Sequence, residues 1–97
     1  MTQRPLMKLN KLDISVQASS FHYCIPSKDF PELDAYTAVE IALFDKDGNW
    51  IQPRTEPLLA DFPELTELCE QYEEGNRAVG YYVPMKLVNQ LIKYLNT

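Results

Sequence analysis

Six tyrosines, one tryptophan, one histidine and two cysteines carry most of the chemistry open to this 97-residue chain. His22 and Cys24 stand two residues apart, so on an extended strand both side chains leave the same face. A zinc or iron site needs more ligands than that pair, and no spaced Cys or His cluster supplies them. A thiol–imidazole nucleophile requires Cys24 or Cys69 to meet His22 in space, whereas isolated thiols more often serve as small buried apolar groups. There is no glycine-rich phosphate loop and no Ser or Lys in a recognisable nucleophile motif. No catalytic, cofactor-binding or metal-binding residue is assigned, and the chain is expected not to be an enzyme.

Asp45, Asp47 and Gly48 share with a calcium loop the alternating carboxylates before a turn glycine. With Gly48 in the sixth place, however, the first is Leu43 and the twelfth is Arg54, where a bidentate glutamate is needed. Asp47-Gly48 between apolar segments is instead the chemistry of a tight β-hairpin.

Five glutamates, Glu64, Glu67, Glu70, Glu73 and Glu74, fall opposite Leu65, Leu68 and Tyr72 when the segment is wound as a helix. A solvated polar face accounts for them. Their functional use would be as an acidic patch, with Glu64, Glu67, Glu70 and Glu74 meeting a basic partner. Trp50, Tyr81 and Tyr82 lie on expected strands, where exposed aromatic side chains make good anchors for a protein partner. Cross-strand packing is the plainer role for the same rings.

The elements that must position these residues are legible from periodicity. Leu12, Ile14, Val16 and Ala18 alternate as a half-buried strand, with Asp13, Ser15 and Gln17 turned to water. A bend at Ser19-Ser20 leads into a second strand, in which Phe21, Tyr23 and Ile25 share one face opposite His22 and Cys24, ended by Pro26. "TAVEIALF" is apolar on both faces and reads as an interior strand. The hairpin follows, with Trp50, Ile51 and Gln52 as the return strand, and the two prolines of 53–60 disfavour regular structure. "DFPEL" occurs at 29–33 and again at 61–65. In the second copy Asp61 and Glu64 are spaced for a capping box and Pro63 suits a first turn, predicting a helix over 62–74 stopped by Gly75. The first copy predicts a short helical turn over 29–34, and the differing neighbours exclude a structural repeat. "AVGYYV" reads as a last strand, with Val79, Tyr81 and Val83 on one face and Gly80 and Tyr82 on the other. "PMKLVNQLIKYLN" reads as a final helix with a wide apolar stripe.

That stripe is wider than one sheet face would use, which points to self-association as a homodimer through Leu87, Leu91, Tyr94 and Leu95. The formal net charge of −5 and pI of about 4.7 carry the wrong sign for neutralising phosphates, so nucleic acid is not expected as a direct ligand. Apolar runs fall far short of the roughly 20 residues of a membrane span. With no export signal and two cysteines read as thiols, the expected location is the cytoplasm.

The expected fold is a single α+β domain over 1–97, with residues 1–8 a flexible N-terminal segment. A mainly antiparallel sheet of about five strands carries two helices on one face, in the order ββββαβα. The function expected of it is a small non-catalytic protein-interaction module: an adaptor, inhibitor or regulatory subunit. The alternative is a small-molecule-binding domain or minor enzyme, with a pocket lined by Tyr23, Tyr81 and Tyr82 and with His22 as its only group titrating near neutrality.

Overall fold

A computed structural model describes residues 3–72 and 79–97. Its strands are β1 (Met7–Lys8), β2 (Asp13–Gln17), β3 (Ala38–Phe44), β4 (Trp50–Ile51) and β5 (Val79–Pro84), and its helices are α1 (Leu65–Glu70) and α2 (Met85–Leu95). Short 3₁₀ turns stand at Leu33–Ala35 and Pro57–Leu59. The order ββββαβα and the α+β class are those read from the sequence. The five strands form one antiparallel sheet centred on β3, which pairs with β2 along one edge and with both β4 and β5 along the other.

Register divides the sheet into two faces. Ile14 lies opposite Leu43, Val16 opposite Ile41, and Val39 opposite Val83. These residues form one buried cluster with Leu68 of α1 and with Leu87, Val88, Leu91 and Leu95 of α2, so both helices cover the same face. Removing one of these leucines to alanine costs about 2–5 kcal/mol by cavity formation. The stripe of α2 is thus spent on the chain's own core. Leu87, Leu91 and Leu95 are buried, and Tyr94 packs its ring 5.2 Å from that of Phe62.

Several expected elements differ. The segment 21–25 is not a strand: only Ile25 pairs, as an isolated bridge to Ala38. Ser19 is the reason, because its hydroxyl accepts from the Phe21 N–H at 3.0 Å and lies 2.7 Å from His22 Nδ1, while its carbonyl accepts from the His22 N–H. A serine that binds its own backbone favours a turn over a ladder. Phe21, Tyr23 and Ile25 are exposed, Phe21 at 84%, and Cys24 is buried.

The place of that strand in the order is taken by β1, which pairs Met7 with Ile14 and Lys8 with Asp13. Ahead of it, Arg4 holds the outer sheet face. Its backbone N–H and C=O both bond the Gln17 side-chain amide at 2.8 Å. Its guanidinium donates to the carbonyls of Ala18 and Phe30 and lies 5.8 Å from the centre of the Tyr36 ring. Asp13 and Gln17, expected in water, are buried in consequence, Asp13 with an ion pair of 2.6 Å to Lys46.

The hairpin has the expected Gly48 at φ +85, with the Gly48 N–H on the Asp45 carbonyl and the Asp45 N–H on the Asn49 carbonyl. That is a turn followed by a left-handed residue, as glycine permits.

The two DFPEL segments do share a role, but capping is not part of it. Both helical stretches begin at the leucine, with Glu32 or Glu64 ahead of it and no side-chain cap on either. Asp29 instead accepts from the Ser20 N–H and hydroxyl. The phenylalanines do the common work, Phe30 against Tyr36 at 5.5 Å and Phe62 against Tyr94. The described part of the second helix, six residues, is shorter than 62–74, and the proposed stop at Gly75 lies outside the described residues.

Candidate functional site

The strongest concentration of exposed aromatic surface forms where β5 leaves the regular ladder. Val39 pairs with Val83 and Ile41 with Gly80, so two steps along β3 span three along β5, a bulge. Tyr81 and Tyr82 are the bulged residues. The Tyr81 N–H donates to the Gln71 carbonyl at 3.0 Å, and the Tyr82 N–H donates to the Tyr23 carbonyl at 3.2 Å. Tyr82 is held at φ +52, the left-handed region that a bulky side chain rarely occupies.

Gly80 makes the arrangement possible. A Cβ there would lie 3.0 Å from Tyr72 Cε1 and from Val83 Cγ2, and 3.1 Å from Ile41 Cγ1. Its absence lets the Tyr72 ring pack against β5 just beyond α1. Tyr72 is buried, its hydroxyl has no hydrogen-bond partner among the described residues, and burial, reinforced by nearby Cys69, pushes its phenol well above the usual range.

Tyr23 reaches the same place from the Ser19 turn. Its ring meets Tyr81 at 4.5 Å and 66°, and Tyr82 at 5.8 Å and 70°, both edge-on. Its N–H donates to Glu40 Oε2 at 3.4 Å. Tyr23, Tyr72, Tyr81 and Tyr82 with Glu70 and Gln71 line an open groove of about 350 Å³. Gln71 also lines a neighbouring groove of about 310 Å³ with Glu64, Glu67 and Lys86, floored by Leu87. One surface therefore runs from a tyrosine corner to the carboxylates of α1.

The residues singled out from the sequence divide accordingly. Tyr81, Tyr82 and Glu70 come together, with Glu64 and Glu67 beside them, and Glu74 lies outside the described residues. Trp50 stands apart on the outer sheet face, its ring 4.7 Å from Phe44. His22 is not in the tyrosine groove: it lines a groove on that outer face with Glu40 and Trp50. Burial pushes the Cys69 thiol up, against a smaller opposing effect of Arg54, and a protonated thiol is a poor nucleophile. Among the described residues no three His, Cys, Asp or Glu side chains are grouped to hold a metal ion, and no helix is long and apolar enough to cross a membrane.

Tyr23, Tyr81 and Tyr82 line one groove, as the small-molecule alternative grouped them, but His22 does not join them, and Tyr23 comes there from the Ser19 turn and not from a strand. The Ser19-Ser20 pair was the available signal, since a longer turn there frees the residues after it from strand alternation. No protein-family model matches the chain, and neither does any curated protein or solved structure.

Proposed function

We propose that this protein is a non-catalytic interaction module of the cytoplasm that holds a partner protein against the Tyr23–Tyr81–Tyr82 corner and the adjoining acidic side of α1. The observation that carries the reading is Tyr82. A tyrosine kept in a left-handed conformation costs about 1–2 kcal/mol relative to an ordinary backbone, and here that strain presents a ring 47% exposed beside a second one 48% exposed. Tyrosines that are backed by other rings and partly wet are favoured interface anchors, because they bring large area with little entropy to lose. The groove is a surface trough rather than an enclosed cavity, and His22 does not line it. Two unpaired thiols support a reducing compartment. Self-association through α2 is not carried forward, since its outward positions are Lys86, Asn89 and Lys93.

The test is recovery of the tagged protein from its own cells, beside a Tyr23→Ala/Tyr82→Ala variant of matched thermal stability. A partner protein retained by the parent and lost from the variant is the expected result. Equal retention by both, or a small bound mass that leaves on denaturation in place of a protein, would overturn the reading.

A further inference from the structure

We infer that the corner between Tyr23 and Tyr82 receives an arginine side chain of the partner, an inference that rests on the interaction-module reading and gives it a chemistry. Two exposed rings set at 70° form two walls, and Tyr81 closes the corner behind Tyr23. Aromatic faces carry negative charge density, so a corner of rings favours a cation over an apolar group of the same size. One carboxylate, Glu70, lines the groove, and a second, Glu40, accepts from the Tyr23 N–H while lining the groove of the outer face. Among the described residues the ion pair found is that of Lys46 with Asp13, so neither Glu70 nor Glu40 has its charge matched by a described cation. Glu64 and Glu67 add two carboxylates in the neighbouring groove, where Lys86 is the one described cation.

Arginine fits better than lysine for a geometric reason. A guanidinium is planar and can lie against one ring while its N–H fork addresses an acceptor at the edge, whereas an ammonium is a strongly hydrated point charge. The chain already contains one such arrangement: Arg4 lies over the Tyr36 ring while its N–H groups reach the Ala18 and Phe30 carbonyls. In the groove the Tyr82 ring and the Glu70 carboxylate would take the parts of Tyr36 and those carbonyls.

The experiment is an NMR titration of the full chain with the capped peptide Gly-Gly-Arg-Gly-Gly and with its citrulline counterpart, which keeps the shape and removes the charge. The arginine peptide is expected to shift Tyr23, Tyr82 and Glu70 resonances saturably, with the citrulline peptide about tenfold weaker. Tyr82→Phe should bind as the parent does, Tyr82→Ala about fivefold to tenfold more weakly, and Glu70→Gln about threefold more weakly. Equal shifts from arginine and citrulline, shifts confined to other surfaces, or none at all would overturn the inference. A recovered partner whose contacting segment has no arginine would overturn this inference alone, whereas partner retention indifferent to Tyr23 and Tyr82 would remove the reading beneath it.

Discussion

At Tyr82 two effects oppose each other, and their sizes can be separated. The φ of +52 disfavours any residue with a Cβ, while the edge-on contact with Tyr23 returns about 0.5–1.5 kcal/mol. Replacing the ring by alanine removes the contact and keeps the strain, and replacing it by glycine removes both. Tyr82→Gly is therefore expected to be more stable than Tyr82→Ala by about 1–2 kcal/mol in urea unfolding, the reverse of the usual order within a strand. Glycine equal to or below alanine would mean that the backbone is unstrained there. Asp45 gives a second prediction at this scale. Its carboxylate accepts from the Asn49 N–H, the Asn49 side-chain amide and the Asp47 N–H, and these bonds hold it below the ordinary value of 3.8, the Asn49 backbone first. A carboxyl lowered on folding favours the folded hairpin above its unfolded value, and the benefit is lost as pH falls through the lowered one. In an NMR pH titration the Asp45 midpoint should lie below 3.8, with the Asn49 amide signal moving in step, and a midpoint at or above 3.8 would contradict the assignment.

Among the elements, β5 is where a single added methyl group tests the architecture. A Cβ at Gly80 would press on the side chains of Tyr72, Val83 and Ile41 at 3.0–3.1 Å. Gly80→Ala is expected to cost about 1–3 kcal/mol by overpacking and to shift Tyr72 off the sheet, seen as altered near-ultraviolet circular dichroism. An unchanged stability would show that the Tyr72 ring does not lie on β5. The elements also show what periodicity can and cannot reveal. Strands β2 and β3 and the hairpin were legible because alternation and turn chemistry agree there, and α2 because its stripe is regular. The segment 21–25 alternates equally well, but Ser19 spends its side chain and carbonyl on local bonds, a competition that hydropathy does not register. The N-terminal strand β1 has only two residues, too few to show a period. Of the site, Tyr81, Tyr82 and the α1 glutamates were marked by residue type, and Tyr23 was grouped with the two tyrosines as the lining of a pocket, whereas the bulge at Tyr81 and Tyr82 and the turn that carries Tyr23 to them depend on pairings between residues distant in sequence.

For the molecule as a whole, the sheet divides the labour. One face is closed by both helices, and the other is strapped by Arg4 and edged by Trp50, leaving the corner at the bulge as a surface of different character. The acidic balance of the chain bears on how a partner arrives, since complementary charge speeds encounter and loses that effect as salt rises. The central claim, that a protein partner sits on this corner, is met most directly by site-specific photo-cross-linking in the cells that make the protein, with the reactive residue at position 82 and, as control, at the exposed Asn89 of α2. The account predicts one defined protein adduct from position 82 and none of the same mass from position 89. The same adduct from both positions, or from 89 alone, would contradict it.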